Sequence, residues 1–405
     1  MAVLSYLTAG ESHGPAVSAL IEGLPAGLEL DVEFINAQLS RRQGGYGRGG
    51  RQRIESDAVD FQAGVRQGTT TGGPLLLQIR NRDCRLDDPA RTPPVYRPRP
   101  GHADLAGAMK WLTTDCRNAL ERASARETAG RTAAGAVARC LLRQFGIIAF
   151  GFVRGLLDAE TDIAPTQERL EDLRSARDAS DVYCPDPEVS RRIIEHIRQA
   201  KVDKDTVGGV AQVHVFGVPI GLGSCAQFDQ KLDARLAAAV MGIQAFKAVE
   251  IGLGIQCAYR RGSEVHDPIN YDPTMRDGPA LGFVRATNNA GGLEGGMTNG
   301  MPIVVRGTMK PISTLLAGMP SVDLNTKEAA RSTYERSDVC ALPAASVVME
   351  NVVAFEVARA FCEKFAGDTM EEIKSNYDSF LGLARRLPRS LPADAAPMEA
   401  DQTEA

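Results

Sequence analysis

Apolar and polar positions along this chain repeat at two different periods, and the segments carrying each period come in mixed order. Ala2–Leu7 and Ala16–Glu22 have the character of strands joined by a glycine-containing loop. Asp31 precedes Val32, Ile35 and Leu39, apolar residues at helical spacing, so it is expected to cap a helix that stops at Gly44-Gly45. Leu75–Ile79 reads as a strand, and a helical stretch with an Arg- and Glu-rich polar face is expected from about Leu105 to Gly146. Glu160–Lys204 is charged and amphipathic, which predicts helices over a surface. Val210–Phe216 alternates as a strand does, whereas Lys231–Gly252, rich in Ala, Leu, Val and Met, reads as a buried helix. Ile303–Arg306 is a further strand and Ala344–Phe365 a further apolar helix.

Two segments echo each other. Gly72-Gly73-Pro74-Leu75-Leu76-Leu77 and Gly300-Met301-Pro302-Ile303-Val304-Val305 both place Gly and Pro before an apolar strand, a hint of duplicated halves. No linker divides the chain before its last residues, so residues 1–386 are expected to form a single domain. Residues 387–405 are rich in Pro, Ala and acidic groups and lack an aromatic residue, which predicts a disordered acidic tail.

Composition narrows the class. The 405 residues are 43% hydrophobic and 24% charged, as in globular proteins. The opening residues have no basic segment followed by a long apolar core, so no secretory signal is expected. The longest uncharged run, Thr206–Phe228, is broken by five glycines and a proline and predicts strands and turns; no membrane partner is expected. The eight Cys have no zinc or disulfide spacing and read as reduced thiols of a cytoplasmic protein. Net charge is −5, yet Arg41–Arg131 carries 17 basic and 10 acidic residues, +7, which leaves −12 elsewhere. A basic segment in an acidic protein points to a local anion site and away from a nucleic-acid partner.

Candidate chemistry gathers in that segment. Of five histidines, His13 lies in Gly10-Glu11-Ser12-His13-Gly14 and His102 in Arg99-Pro100-Gly101-His102-Ala103-Asp104. Imidazoles set among guanidinium groups suit acid–base chemistry on a polyanion. Gly45-Tyr46-Gly47-Arg48-Gly49-Gly50 fits the dinucleotide fingerprint only formally, because no apolar strand precedes it. Two readings remain there: an Arg-Gly segment for RNA, or an anion clamp with Arg42, Arg48 and Arg51. Glu121–Thr128 also supports two compatible readings. One is a capping box of Ser124 with Glu127; the other is a helix start that, with Arg126, binds phosphate or carboxylate. Asn289–Gly300 and Lys310–Thr314 together read as a cradle for a phosphate and a flat ring. Arg336-Ser337-Asp338 on its own reads as a surface ion pair.

Taken together and in order, these motifs resemble the chorismate synthase family. The resemblance rests on Gly10–Gly14, Arg41–Arg53, Thr69–Pro74, Arg99–Asp104, Glu121–Thr128, Asp205–Gly209, Ile251-Gly252, Asn289–Gly296, Lys310–Thr314 and Arg336–Asp338, spread over roughly residues 1–365. It implies an α+β sandwich with a helical core between antiparallel sheets, assembled as a homotetramer. It implies elimination of phosphate and a ring hydrogen from 5-enolpyruvylshikimate-3-phosphate to give chorismate. Reduced FMN is the implied cofactor, with no net redox change, and NADPH enters only as an indirect reductant of that flavin. By motif, His13, His102 and Asp338 match the acid–base groups. His102 would support the leaving phosphate, His13 would serve the reduced flavin, and Asp338 would relay the ring proton. Ser12, Arg42, Arg48, Arg51 and Arg126 fall among the substrate-binding groups. Arg42 and Arg48, Arg122-Ala123-Ser124, Gln244-Ala245, Gly295, Lys310-Pro311-Ile312-Ser313-Thr314 and Arg336 match cofactor contacts. Ala123 and Thr206 stand where relatives often carry Ser. An RNA-binding protein and a flavoprotein reductase that turns over NAD(P)H are the alternatives; no inserted reductase-like segment is present.

Overall fold

The computed structural model of this chain describes residues 3–50, 54–335 and 337–387. Arg51, Arg336 and the expected tail from residue 388 onward lie outside the described residues.

Two antiparallel sheets enclose a layer of helices. Strands β1 (Ser5–Ala9), β2 (Ala16–Glu22), β3 (Asp60–Ala63) and β4 (Leu75–Arg80) form the first, in spatial order β1-β2-β4-β3. Strands β5 (Ile148–Leu156), β6 (Ala159–Glu160), β7 (Gly209–Phe216), β8 (Phe246–Ile251) and β9 (Ile303–Met309) form the second, in order β8-β9-β7-β5-β6. The register follows from alternation. Val17 faces Ile79 and Ile21 faces Leu75 across β2 and β4, and all four side chains are buried. In β7, Ala211, Val213 and Val215 join the main core, while Phe216 lies on the opposite face with Phe150 and Phe152. The two segments that echo each other in sequence lead into β4 and β9, an inner strand of each sheet.

Helix α1 (Val32–Gln43) begins where Asp31 Oδ1 accepts from Phe34 N at 2.9 Å. The expected long helical stretch is three helices, α2 (Asp104–Lys110), α3 (Arg117–Arg122) and α4 (Thr128–Arg143), separated by turns that carry site residues. The charged segment forms α5 (Leu170–Ala179) and α6 (Pro187–Val202). The reading of Lys231–Gly252 as one helix is corrected: α7 (Leu232–Met241) ends at Gly242, and the rest turns into β8. Helix α8 (Leu342–Phe365) is mostly apolar around its circumference and almost wholly buried, with Glu350 and Asn351 among its buried residues. Helix α9 (Met370–Ala384) packs beside it.

Helix α4 packs on β2 and β4, and α8 packs on β5 and β7; the two helices pack on each other and on α1. Gly135 makes that contact possible, since a Cβ there would stand 2.2 Å from the Asn351 carbonyl oxygen. The helical layer thus gives each sheet its apolar floor. The loops that leave β1, α1 and β9 are held at its edge.

Candidate active site

His13 is built from the loop after β1. Gly10 leaves the strand at φ +103°, where a Cβ would meet the Ala16 carbonyl oxygen at 2.2 Å, so the turn requires glycine. His13 Nδ1 lies 3.0 Å from both carboxylate oxygens of Glu121, and His13 N donates to Oε2 at 2.9 Å. On the other side of the ring, Arg85 Nη2 is 3.2 Å from Nε2 and Asp83 Oδ2 is 3.7 Å away. Arg117 joins Glu121 at 3.4 Å to Glu335 at 3.0 Å. Burial works to raise the Glu121 pKa, but the His13 hydrogen bonds and the His13 and Arg117 charges hold it below the ordinary range. Ser12 lies within the same turn: its N donates to the Glu121 carbonyl at 3.1 Å, and its hydroxyl accepts from Ser124 Oγ at 3.1 Å.

His102 has a parallel arrangement. Its Nδ1 lies 2.5 Å from Asp104 Oδ1, and Arg99 clamps the same carboxylate through Nε at 2.8 Å and Nη2 at 3.0 Å. Arg99 also donates to Thr314 Oγ1 at 3.0 Å, tying this loop to the segment after β9. Burial opposes ionisation of Asp104, yet bonds from His102 and Arg99 hold its pKa well below the usual carboxylate range.

The arginine loop turns inward. Arg48 Nη1 donates to Asp338 Oδ2 at 2.7 Å and Gly49 N to Oδ1 at 2.6 Å. Gly47 sits against Ile197 and Cys340, leaving no room for a side chain. Arg42 is buried on Thr128 Oγ1 at 2.9 Å and the Ala125 carbonyl at 2.7 Å; burial lowers its pKa to about 9 despite Asp57. Asp338 thus pairs with Arg48; the expected pair with Arg336 lies outside the described residues. Arg126 donates to Asp57 at 2.6 and 2.8 Å and to Asn81 at 2.7 Å, so its guanidinium supports the loop from within. Ser124 Oγ accepts from Arg126 N at 3.3 Å and not from Glu127 N, so the expected capping box is not formed. Glu127 accepts instead from Thr8 at 2.5 Å, Arg131 at 3.0 Å and Gln244 at 3.0 Å.

Those bonds trace a continuous arc. Arg122 donates to the Thr8 and Gly10 carbonyls at 2.8 and 3.2 Å, with Ala123 and Ser124 next to it in the chain. Gln244 and Ala245 lie in the turn between α7 and β8, not on a helix, and Ala245 takes φ +69°. The Ala245 carbonyl accepts from Lys310 N at 2.9 Å. The Ile312 carbonyl accepts from Thr206 Oγ1 at 2.7 Å, and Ser313 lies against Gly101 beside His102. Pro311 and Thr314 complete that segment. Gln244 Oε1 is buried without a hydrogen-bond partner among the described residues, and burial and Lys247 lower the Lys310 pKa.

Gly295 lies elsewhere. Asn288 Nδ2 donates to the Pro302 carbonyl at 2.8 Å and Val304 N to the Gly291 carbonyl at 3.0 Å, which fixes the Asn289–Gly300 loop at the start of β9. Lys310 follows its end, and seven residues of strand span about 20 Å. Within one copy of the chain the expected single cradle is therefore two separate places.

Sequence reading missed the side chains that hold the two histidines. Asp104 and Arg99 were visible as neighbours of His102; Glu121, 108 residues from His13, carried no local signal.

The chorismate synthase family model matches residues 4–362. A chorismate synthase of Geobacter metallireducens is 53% identical over 398 residues, covering 95% of this chain and all of that one. A chorismate synthase of Desulforamulus reducens is 50% identical over 394 residues, with 95% and 100% covered. A solved structure described as "Crystal Structure of Chorismate Synthase" superposes with a TM-score of 0.77 at 39% identity, covering 95% of this chain and 99% of that one.

Proposed function

The chain belongs to the chorismate synthase family, and from that premise we infer how its own residues serve the reaction. It is a lyase that forms chorismate from 5-enolpyruvylshikimate-3-phosphate, a step of aromatic amino-acid biosynthesis. The observation that carries our reading of the site is the hydrogen-bonded arc from Arg122 through Gln244, Ala245 and Lys310 to His102, with an arginine–carboxylate shell beside it.

We assign the arc to reduced FMN. The residues fit a ring that bears N–H groups and a phosphate. Gln244 Oε1 is a buried acceptor awaiting a donor, Lys310 and Ser313 are phosphate partners, and Gly101 at φ +78° keeps the loop wall thin. Arg122, Ala123, Ser124, Pro311, Ile312, Thr314 and Arg336 complete this assignment, and Gly295 would join it only from another copy. The chemistry supplied there by reduced FMN would be transient electron density for C–O cleavage, with no net redox change; NADPH would serve only as an indirect reductant of that flavin.

The polyanionic substrate would meet Arg42 and Arg48 near Ser12, with Arg126 fixing Asp57 behind Arg42; Arg51 joins them by motif alone. As an imidazolium that keeps its Nδ1–H on Asp104, His102 would give its Nε2 proton, or its positive charge, to the departing phosphate. His13 holds a proton at the opposite side, and Asp338 accepts the ring proton beside Arg48. The RNA-binding alternative requires the Arg-Gly loop to be free, whereas Arg42 and Arg48 are engaged within the fold.

We read the protein as a cytoplasmic homotetramer. All eight cysteines are free, and no helix among the described residues is long and apolar enough to cross a membrane. The excursion between β8 and β9 exposes Ile255, Tyr259, Ile269, Tyr271 and Phe283, apolar surface suited to another copy. Light scattering tests the assembly. Anaerobic turnover tests the chemistry: many chorismates and phosphates per reduced FMN, with an unchanged flavin spectrum, are expected. Flavin oxidised in step with product, or full activity without flavin, refutes the assignment.

A further inference from the structure

Each histidine of this site is bound at one nitrogen by a buried carboxylate that is itself held by an arginine. His13 Nδ1 meets Glu121, 1% exposed, which Arg117 supports; His102 Nδ1 meets Asp104, 0% exposed, which Arg99 clamps. The two units arise from unrelated pieces of chain. One joins residues 108 positions apart; the other joins residues two positions apart in a single loop.

We propose that Glu121 and Asp104 are positioning residues that fix His13 and His102 in the Nδ1–H form, leaving Nε2 of each as the nitrogen that works on substrate and cofactor. The proposal rests on the chorismate synthase reading of the site for its catalytic part, but not for its structural part.

The argument is one of donor and acceptor inventory. A neutral imidazole has one N–H and one lone pair, and an ionised carboxylate only accepts. At His102 the 2.5 Å contact between Nδ1 and Asp104 Oδ1 requires the proton to sit on Nδ1. Arg99 Nη2 is 3.0 Å from that same nitrogen and also donates to Asp104 Oδ1 at 3.0 Å; the shorter carboxylate contact decides where the ring proton sits. At His13, both Glu121 oxygens lie 3.0 Å from Nδ1. With the proton there, Nε2 presents a lone pair and accepts from Arg85 Nη2 at 3.2 Å. The opposite form would set N–H against N–H at Arg85 and lone pair against carboxylate at Glu121. Glu121, Arg85 and Arg117 around His13, and Asp104 and Arg99 around His102, all favour this form. Asp83 alone among these neighbours favours a proton on His13 Nε2, but it stands 3.7 Å away, beyond hydrogen-bond distance, and is engaged by Arg85 Nε at 3.2 Å.

The units differ at the working nitrogen. Arg85 occupies His13 Nε2, while among the described residues the hydrogen bonds of the His102 ring fall on Nδ1, and its side chain is 21% exposed. His102 Nε2 is thus free to face a leaving group, and His13 Nε2 must exchange Arg85 for its reaction partner.

The test labels the full-length protein with nitrogen-15 at histidine and records the ring-nitrogen spectrum at about pH 8.5, above the ordinary imidazole range. His13→Gln and His102→Gln assign the signals. Nδ1–H is expected for both rings; a neutral ring that carries its proton on Nε2 overturns the proposal for that histidine. This measurement needs no substrate and no flavin, so it stands whether or not the proposed function does. Glu121→Gln and Asp104→Asn then present an amide that can donate, which should move the ring proton to Nε2. Once wild-type turnover is established, kcat should fall roughly 10²–10⁴-fold with substrate KM within a few-fold, and Glu121→Asp or Asp104→Glu should recover part of it. A variant that swaps its tautomer yet keeps wild-type kcat overturns the catalytic part; a variant that keeps Nδ1–H overturns the positioning part.

Discussion

Arg48 Nη1 donates to Asp338 Oδ2 at 2.7 Å, a contact between residues 290 positions apart that pins the glycine loop to the segment before α8. Among the described residues Arg48 Nε is buried without a hydrogen-bond partner, and Asp338 takes its second bond from Gly49 N. Arg48→Ala should weaken substrate binding by about 1.5–3 kcal/mol, the scale of a charge-assisted bond, with little change in melting temperature. A double-mutant cycle with Asp338→Asn should show coupling above about 0.5 kcal/mol. Calorimetry with substrate checks the first value; unchanged affinity returns Arg48 to a purely structural role.

His13→Ala and His102→Ala should each reduce turnover roughly 10²–10⁴-fold while leaving the far-ultraviolet spectrum native. Activity within about threefold of wild type in both would remove them from the chemistry.

Glu350, on α8, is fully buried against Arg41 at 3.0 Å, Arg139 at 3.0 Å and Arg177 at 3.5 Å. Burial pushes its pKa up, but the charges of Arg139, Arg41 and Arg177 outweigh it and bring the value to about 2. Glu350→Gln removes the carboxylate shared by three guanidinium groups, of which Arg41 and Arg177 keep Asp178, and should cost about 3–5 kcal/mol, read from urea midpoints. With a folded pKa below the unfolded one, the wild-type contribution is complete above pH ~4.5 and disappears as pH falls toward 2. An acid limb shallower in Glu350→Gln than in the wild type over that window is the confirming comparison.

His214 titrates in the same sense at higher pH. Burial first, then the charges of Arg306 and Arg154, lower its pKa to about 3, and the ring lies flat between Phe152 and Phe216. The folded state resists protonation that the unfolded state accepts near pH 6.5. Stability is therefore complete above that value and falls as pH drops, by roughly 2 kcal/mol at pH 5. In His214→Gln the difference between urea midpoints at pH 7 and pH 5 should shrink by about that amount. An unchanged difference would show that other groups set the slope.

Two glycines should respond in opposite directions. Gly135→Ala drives a methyl against the Asn351 carbonyl between α4 and α8 and should destabilise by about 1–3 kcal/mol. Gly382→Ala, in α9 with open space around it, should stabilise by about 0.5–1 kcal/mol. Equal melting temperatures for the pair would mean that the helices part more readily than their packing implies.

The fold was legible where periodicity and chemistry agreed. Asp31 before an apolar helical repeat marked a helix start, and alternation marked β2, β4 and β7. It failed at Lys231–Gly252, because Ala, Val and Ile satisfy a buried helix and a buried strand equally; Gly242 was the only punctuation. The site was legible in its histidines and arginine loop, which advertise themselves by glycine and charge. What escaped was direction. Nothing local tells that Arg126 faces Asp57, that Glu121 reaches His13, or that Lys310 and Gly295 stand at opposite ends of one strand.

The position of α8 has a consequence for the birth of the molecule. This helix packs against α4, α1 and the second sheet, yet it is written at residues 342–365. The first sheet is complete in sequence at Arg80, some 260 residues earlier. At about 5–20 residues per second the ribosome needs on the order of tens of seconds to deliver the helix that closes the core. From the completion of α4 at Arg143 onward, the apolar sides of α1 and α4 that will receive α8 have no partner from their own chain. A message truncated before residue 342 leaves α1 and α4 without α8, the helix that joins them to the second sheet, a product suited to degradation and not to partial activity.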